Sequence, residues 1–280
     1  MLQPILNSIN IYPLKSAGGI SLQKTEMVQR GLAFDRRWMI VDDSGKFISQ
    51  RTHPSLALLQ IRLENHKMLL NAPIMPELSL PLFPQNGVEH KVEIWGDRCA
   101  AWSAGQQAAQ WISEYLAENS EIVFMPDHSN RPVDPNYAPG QYQTAFSDGF
   151  PLLLISESSL ADLNLRLPEA ITMNRFRPNL VLKNAEPYAE DNWKMIKIGN
   201  CIFQIVKPCS RCILTTVDPT TGEFSGKEPL KTLAAYRKLN GKVLFGQNLI
   251  ALKLGLLEVG MPVEITAFSQ TESRKTVNNQ

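Results

Sequence analysis

The chain has 280 residues, of which 44% are hydrophobic and 20% charged, and its formal net charge at pH 7 is +1. This composition is ordinary for a globular protein of one large or two modest domains. The balance of 28 basic and 27 acidic residues argues against a general affinity for nucleic acid or acidic membranes. The sequence has no secretory signal pattern and no apolar run of about 18 residues, so we expect a cytoplasmic protein without membrane attachment.

Strand patterns dominate the chain. Residues 37–41 and 46–50 flank a turn at 42–45 that ends in glycine, and this pattern predicts a hairpin. Period-two alternation and β-branched runs predict further strands at 59–63, 92–94, 179–182 and 202–206.

Helical patterns are fewer. Residues 104–117 are predicted to be helical because Ala108, Trp111, Ile112 and Tyr115 fall on one face. Two more helices are predicted at residues 158–165 and at residues 229–239, the latter ending at Asn240-Gly241.

A proline-rich segment divides the chain. Residues 125–143 contain four prolines together with Asp, Asn, Gly and Tyr, which predicts a long loop. We therefore predict an N-terminal domain at 1–125, a second domain at 126–268 and a disordered tail at 269–280. Many short strands with few helices predict a β-rich α+β fold of two β-barrel-like domains with a few peripheral helices.

The segment Cys209-x-x-Cys212 concentrates two of the four cysteines and leaves several interpretations open. The pair could simply be packed. A zinc site would need four ligands, but Cys99 and Cys201 are isolated and the histidines form no cluster. A thioredoxin-type pair would precede a helix, whereas residues 213–217 favour a strand. The remaining interpretation is a single thiolate bound to a metal whose other ligands come from a cofactor.

Three basic segments are suited to an anionic cofactor. Lys15 and Ser16 lie in a glycine-rich turn after a strand and offer an ammonium, a hydroxyl and backbone amides. Arg36 and Arg37 enter a strand, where alternation sends adjacent side chains to opposite faces. Arg177 precedes a Leu-Val-Leu strand, and a guanidinium suits bidentate recognition of phosphate.

These segments occur together, and in this order, in one family. The chain resembles the MOSC-domain proteins that carry an N-terminal MOSC β-barrel domain, and among them the mitochondrial amidoxime-reducing component and its bacterial relatives. The resemblance extends from residue 11 to residue 247, and its most specific segments are 156–164, 174–179, 209–222 and 227–230.

The resemblance implies a molybdenum–molybdopterin cofactor in the cleft between the two domains. The cofactor dithiolene and Cys212 would hold the metal. The implied cofactor-binding residues are Lys15, Ser16, Arg36, Ser147, Asp148, Arg177, Asn179, Arg211 and Cys212. Asp148 would act as a proton donor or as a pterin anchor.

The implied activity is a two-electron reduction of N-hydroxylated compounds such as amidoximes, hydroxylamines and N-hydroxylated bases. Gly149-Phe150 and Asn248 depart from the family pattern, so we expect a different substrate range. No anchor or ferredoxin domain is recognised, so electrons are expected from a separate ferredoxin-, flavodoxin- or cytochrome-type protein. One alternative is a carrier or binding module for the cofactor or its sulfur, without turnover. Another is a thiol oxidoreductase that uses both Cys209 and Cys212.

Overall fold

The computed structural model describes residues 2–269. Of the tail predicted at 269–280, only Ser269 is among them, and its backbone N–H donates to the Asn192 carbonyl at 2.8 Å. The rest of the predicted tail lies outside the described residues. Between residues 2 and 269, no helix combines the length and the apolar character needed to cross a membrane.

The described chain is rich in strands and contains three α-helices, which confirms the predicted β-rich α+β class. The strands of the first half are β1 (Ile5–Ile11), β2 (Ile20–Leu22), β3 (Lys24–Val28), β4 (Gly31–Leu32), β5 (Trp38–Asp42), β6 (Gln60–Glu64), β7 (Lys67–Asn71), β8 (Leu78–Pro81), β9 (Glu89–Ile94), β10 (Asp97–Ser103) and β11 (Ser120–Phe124). Those of the second half are β12 (Leu152–Ser156), β13 (Leu180–Lys183), β14 (Trp193–Ile198), β15 (Cys201–Ser210), β16 (Val217–Asp218), β17 (Glu223–Phe224), β18 (Lys238–Leu239), β19 (Lys242–Lys253), β20 (Gly255–Glu258) and β21 (Val263–Phe268). The helices are α1 (Gln106–Leu116), α2 (Glu157–Asn164) and α3 (Leu230–Tyr236).

One large sheet has the strand order β2-β1-β13-β12-β19-β15-β14-β21. Strand β1 lies between β2 and β13, so the first two strands of the chain join a sheet whose other strands come from the second half. The β1 side chains Leu6, Ile9 and Ile11 are fully buried in the core of that sheet. The domain division at residue 125 stays a prediction, and strand pairing crosses it.

One end of the large sheet is bonded to the start of β1. The Leu6 N–H donates to the Met261 carbonyl at 2.9 Å, and the Val263 N–H donates to the Pro4 carbonyl at 2.8 Å. These bonds join the start of β1 to the segment around the start of β21. Within the described residues the sheet is therefore barrel-like, without a continuous closing ladder.

The first half contributes two smaller sheets, β5-β11-β10-β9 and β6-β7-β8. The predicted hairpin at 37–50 is present, since Val41 of β5 bridges to Phe47 across the turn. Helix α1 follows Gly105, ends at the left-handed Ala117, and buries Ala108, Trp111 and Ile112 as predicted. Apolar burial on one face explains why this segment is helical among strands.

The helix predicted at 229–239 is too long. Helix α3 ends at Tyr236, and Lys238–Leu239 pairs with the start of β19. Asn240 and Gly241 have φ angles of +48° and +77°, as a type I′ hairpin turn requires. The Asn-Gly pair therefore turns a hairpin rather than ending a helix.

The strand predicted for residues 213–217 is wrong in its first four residues, which form a 3-10 helix at Ile213–Thr216. The hydroxyl of Thr215 donates to the Cys212 carbonyl at 2.9 Å, and that of Thr216 donates to the Ile213 carbonyl at 2.8 Å. Threonine side chains can bond to nearby backbone carbonyls in this way and so compete with strand formation.

Candidate functional site

A cavity of about 430 Å³ lies where the segments after β1 and β15 approach those before β12 and β13. Among residues 2–269, its lining contains a single carboxylate, Asp148. The six cationic side chains of the lining are Lys15, Arg36, Arg51, Arg177, Lys207 and Arg211. Because the whole chain is nearly neutral, this local excess of positive charge is suited to an anionic ligand.

Lys15 and Asp148 form the central ion pair of the cavity. The Lys15 Nζ donates to Asp148 Oδ1 at 2.5 Å and to the Phe146 carbonyl at 2.9 Å. Burial lowers the pKa of Lys15 to about 8, although Asp148 acts in the opposite direction. Lys15 and Arg51 hold the pKa of Asp148 far below its usual range. The pair therefore presents an acidic ammonium beside an ionised carboxylate.

Tyr12 separates two arginines of the cavity. The guanidinium carbons of Arg36 and Arg177 lie 4.5 and 4.2 Å from the centre of its ring. Arg36 also donates to Asp35 Oδ2 at 2.6 Å and to Asn179 Oδ1 at 3.0 Å. Burial lowers the pKa of Arg177 to about 10, whereas Asp35 outweighs burial and raises the pKa of Arg36. The aromatic ring thus holds two like charges close together through cation–π contacts.

Two buried guanidinium nitrogens of the cavity lining have no hydrogen-bond partner among the described residues. They are Nη2 of Arg177 and Nε of Arg211. The neighbouring nitrogens are satisfied, since Arg177 Nη1 donates to the Ala17 carbonyl at 2.6 Å and Arg211 Nη2 donates to the Phe176 carbonyl at 2.8 Å. An unmade bond of a buried charged donor is costly. A ligand with several acceptor oxygens would satisfy both groups.

The two cysteines of the motif both line the cavity, and each contacts its own arginine. Arg51 Nε donates to Cys212 Sγ at 3.3 Å, while Arg211 Nη1 donates to Cys209 Sγ at 3.1 Å. Both thiols are half-buried. In residues 2–269, no three His, Cys, Asp or Glu side chains are grouped so as to hold a metal ion. A metal at Cys212 would need its other ligands from a bound cofactor.

The loop that supplies Ser147 and Asp148 is held by a buried arginine. Arg131 is 1% exposed and donates to the carbonyls of Ala145, Ser147 and Asp148 at 2.7, 2.5 and 3.1 Å. The Ser147 hydroxyl donates to the Phe150 carbonyl at 2.7 Å, so it is engaged within the loop. Arg131 therefore fixes the backbone from which the Asp148 side chain extends.

Every site residue predicted from the sequence lies in the lining of this cavity. These residues are Lys15, Ser16, Arg36, Ser147, Asp148, Arg177, Asn179, Arg211 and Cys212. The adjacent arginines separate, since Arg36 lines the cavity whereas Arg37 donates to Asp127 Oδ1 at 2.8 Å. Strand alternation does not cause this, because both residues precede β5 and Arg36 has a φ of +49°. Gly149, Phe150 and Asn248, where the sequence departs from the family pattern, also line it.

Among the further lining residues, three with basic or indole side chains were missed: Arg51, Trp95 and Lys207. Lys207 could have been suspected because it lies two residues before Cys209. Its Nζ lies 3.8 Å from the centre of the Tyr137 ring. The sequence Trp95-Gly96 is typical of a turn, but no neighbouring residue indicates that Trp95 lines this cavity. Arg51 carries no local signal.

Comparisons with known proteins agree with the family resemblance. The family described as the MOSC N-terminal beta barrel domain matches residues 3–119, and the MOSC domain matches residues 141–264. Mitochondrial amidoxime-reducing component 1 of Homo sapiens is 37% identical over 271 residues, covering 90% of this chain and 80% of that protein. Mitochondrial amidoxime reducing component 2 of Rattus norvegicus is 36% identical over 277 residues, covering 92% and 82%. Among solved structures, the YUAD protein of Bacillus subtilis aligns over 94% of each chain with 11% identity and a TM-score of 0.44.

The expectation of a cytoplasmic protein is corrected by these relatives. Both relatives are named as mitochondrial components, which contradicts that expectation.

Two family matches and the long alignments with these relatives lead to the same conclusion. The chain belongs to the family of MOSC-domain proteins that includes the mitochondrial amidoxime-reducing components.

Proposed function

We propose that this protein is a molybdenum-cofactor-dependent reductase of N-hydroxylated compounds such as amidoximes, hydroxylamines and N-hydroxylated bases. The observation that carries the proposal is the half-buried Cys212 thiol in a cavity lined by six cations and one carboxylate. A molybdopterin brings a phosphate and an anionic dithiolene, which require fixed positive charges when buried. The names of the relatives support the substrate class.

The cavity residues fit such a cofactor. Lys15, Ser16, Arg36, Arg177, Asn179 and Arg211 would hold its phosphate and pterin. The unpartnered N–H groups of Arg177 and Arg211 are donors that suit its oxygens. Cys212 would bind the metal, as a soft thiolate suits a soft or borderline metal centre.

When bound, the molybdenum would supply the two electrons that reduce the N–OH group, with water and an amine or amidine as products. The chain supplies the electrostatics and the protons. Asp148 is held ionised and has no proton to give, so we assign it to orienting Lys15 and Arg51. Lys15, whose pKa is about 8, is protonated at neutral pH and is the better proton source.

Metal analysis tests the proposal. Protein purified from a host that makes the cofactor is expected to contain about one molybdenum and little zinc per chain, in keeping with a single thiolate site. Cys212→Ala should lose the molybdenum and the turnover of benzamidoxime with an artificial electron donor. Cys209→Ala is the matched control and should keep both the molybdenum and the turnover of benzamidoxime.

Other outcomes would select the alternatives. Molybdenum-free wild-type protein, or full activity in Cys212→Ala, would refute the proposal. Equal loss in the two cysteine variants would favour a thiol oxidoreductase. Bound but readily exchanging cofactor without turnover would favour a carrier.

The electron donor in this proposal is a separate protein of the ferredoxin, flavodoxin or cytochrome type. Residues 2–269 offer no group of three metal-binding side chains that could hold an iron–sulfur cluster.

A further inference from the structure

The hairpin between β9 and β10 places a tryptophan in an unfavourable turn position. Ile94 pairs with Asp97, so Trp95 and Gly96 form a two-residue loop. Their φ angles are +55° and +88°, which correspond to a type I′ turn. Asn or Gly suits the first position, whereas a bulky side chain with positive φ is strained.

Trp95 is also unusually exposed. Its residue exposure is 51%, whereas Trp38, Trp111 and Trp193 are all buried. A strained backbone that presents a large apolar side chain is not explained by packing. Such strained conformations persist where the surrounding structure holds them in place, often at functional sites.

The indole of Trp95 joins the side chains around Cys212. Its Nε1–H donates to Asp148 Oδ1 at 3.1 Å, and the guanidinium carbon of Arg51 lies 4.4 Å from the ring centre. The Phe47 ring, 5.0 Å away, supports the indole. Arg51 in turn donates to Asp148 Oδ2 at 3.1 Å and to Cys212 Sγ at 3.3 Å.

We propose that Trp95 is a positioning residue of the site, which fixes the Asp148 carboxylate and keeps the Arg51 guanidinium against the Cys212 thiol. The Asp148 side chain is 60% exposed, so packing alone does not fix its orientation. Arg51 is a long side chain with many rotamers, and the indole face restricts it through a cation–π contact. The kinetic consequence rests on the proposed function, but the geometric consequence does not.

The test uses two variants and a matched control. Trp95→Asn removes the indole but suits the turn, so Tm should stay within about 3 °C of wild type. Trp95→Phe keeps a ring beneath Arg51 but lacks the N–H that binds Asp148. His66→Gly is the control, because His66 is an exposed residue with a φ of +61° in another hairpin turn.

Crystal structures give the readout that does not depend on activity. In Trp95→Asn we expect Arg51 to leave Cys212 and Asp148 to change rotamer. In Trp95→Phe only Asp148 should move. Unchanged positions of Arg51 and Asp148 in Trp95→Asn would overturn the proposal, whatever its Tm.

Kinetics and molybdenum content give the second readout. In Trp95→Asn we expect kcat to fall roughly tenfold to a hundredfold, with KM within about threefold and molybdenum content unchanged. A smaller fall is expected for Trp95→Phe, and His66→Gly should match wild type. Wild-type kcat in Trp95→Asn would contradict the positioning role. Wild-type protein without turnover would refute the proposed function, while the crystal structures would still decide the role of Trp95.

Discussion

Single residues around the cavity act in pairs, and the pair of Lys15 and Asp148 has the most direct thermodynamic consequence. Lys15 is only 5% exposed, so its ammonium loses most of its hydration. Asp148 and the Phe146 carbonyl replace part of that hydration. The part of the hydration that is not replaced lowers the pKa of Lys15 from 10.5 to about 8.

This shift predicts a pH dependence of stability. Between pH 8 and 10.5 the unfolded chain binds a proton at Lys15 that the folded chain has lost, so the free energy of unfolding rises with pH. Below pH 8 both states are protonated and the burial cost is constant. Over this pH range, the total rise in the free energy of unfolding approaches about 3 kcal/mol.

Denaturant unfolding of cofactor-free protein at pH 7.5 to 10 would measure this effect. The rise should be absent in Lys15→Met and present in the surface variant Lys24→Met. Identical pH profiles for wild type and Lys15→Met would contradict it.

The residues that sequence could identify lie in continuous motifs. Cys212, Lys15 and Arg177 each lie beside a turn or strand that the sequence pattern predicts without knowledge of the fold. Arg51 and Trp95 are different, because their partners are distant in sequence. Arg51 contacts Cys212 across 161 residues and Trp95 contacts Asp148 across 53. Such contacts arise from docking of the two halves, and local propensity does not contain that information.

At the level of elements, the strands beside the cavity are irregular. The register between β15 and β19 shifts three times, including at the steps Ile205/Lys207 and Pro208/Ser210. Bulges are common next to active sites because they redirect side chains. The strand predicted at 202–206 is part of β15, which continues to Ser210, so alternation alone did not reveal its end. The same limit applies to Asn240-Gly241, a signal shared by helix ends and hairpin turns.

Gly246 in β19 allows the close approach of β12. Its φ is +81°, and an added Cβ would lie 2.6 Å from Ile155 Cγ1 and 2.9 Å from the Leu154 carbonyl oxygen. The backbone oxygen cannot move without disturbing the sheet. We therefore expect Gly246→Ala to lower the free energy of unfolding by about 2–4 kcal/mol.

Chemical denaturation would measure this loss. Gly260→Ala is the matched control, because Gly260 has a φ of +92° but no atom within 4 Å of an added Cβ. Backbone strain alone should lower the free energy of unfolding of Gly260→Ala by about 1–2 kcal/mol. Equal losses in the two variants would show that strain, rather than crowding against β12, sets the cost at Gly246.

On the scale of the whole molecule, the two halves exchange strands in two sheets. Strand β1 pairs with β13 in the large sheet, and β3 pairs with β20 in a separate three-stranded sheet. The sequence predicts the strand-rich class and several of the strands, but it does not predict this exchange. Pairing between strands so far apart depends on the complete barrel, and no turn or spacing in the chain encodes it.

A fragment of residues 126–269 should therefore fail to fold. It would lose the buried side chains Leu6, Ile9 and Ile11 from its core. Their burial contributes roughly 5–9 kcal/mol in total, comparable with the whole stability of a domain, about 5–15 kcal/mol. Dispersed NMR spectra and a cooperative thermal transition are expected only when residues 2–33 are joined to the fragment by a flexible linker. A cooperative transition in the bare fragment would contradict this expectation.

The position of β1 also determines the order of events during synthesis. Ile9 leaves the ribosome early, but its partner Leu180 is made 171 residues later. At about 5–20 residues per second, roughly 10–30 s pass between the synthesis of β1 and that of its partner strand β13. During that time β1 is a segment that chaperones could bind. The cavity, whose lining extends from Lys15 to Asn248, exists only once residue 248 has been made. Insertion of a cofactor would accordingly follow the synthesis of β19.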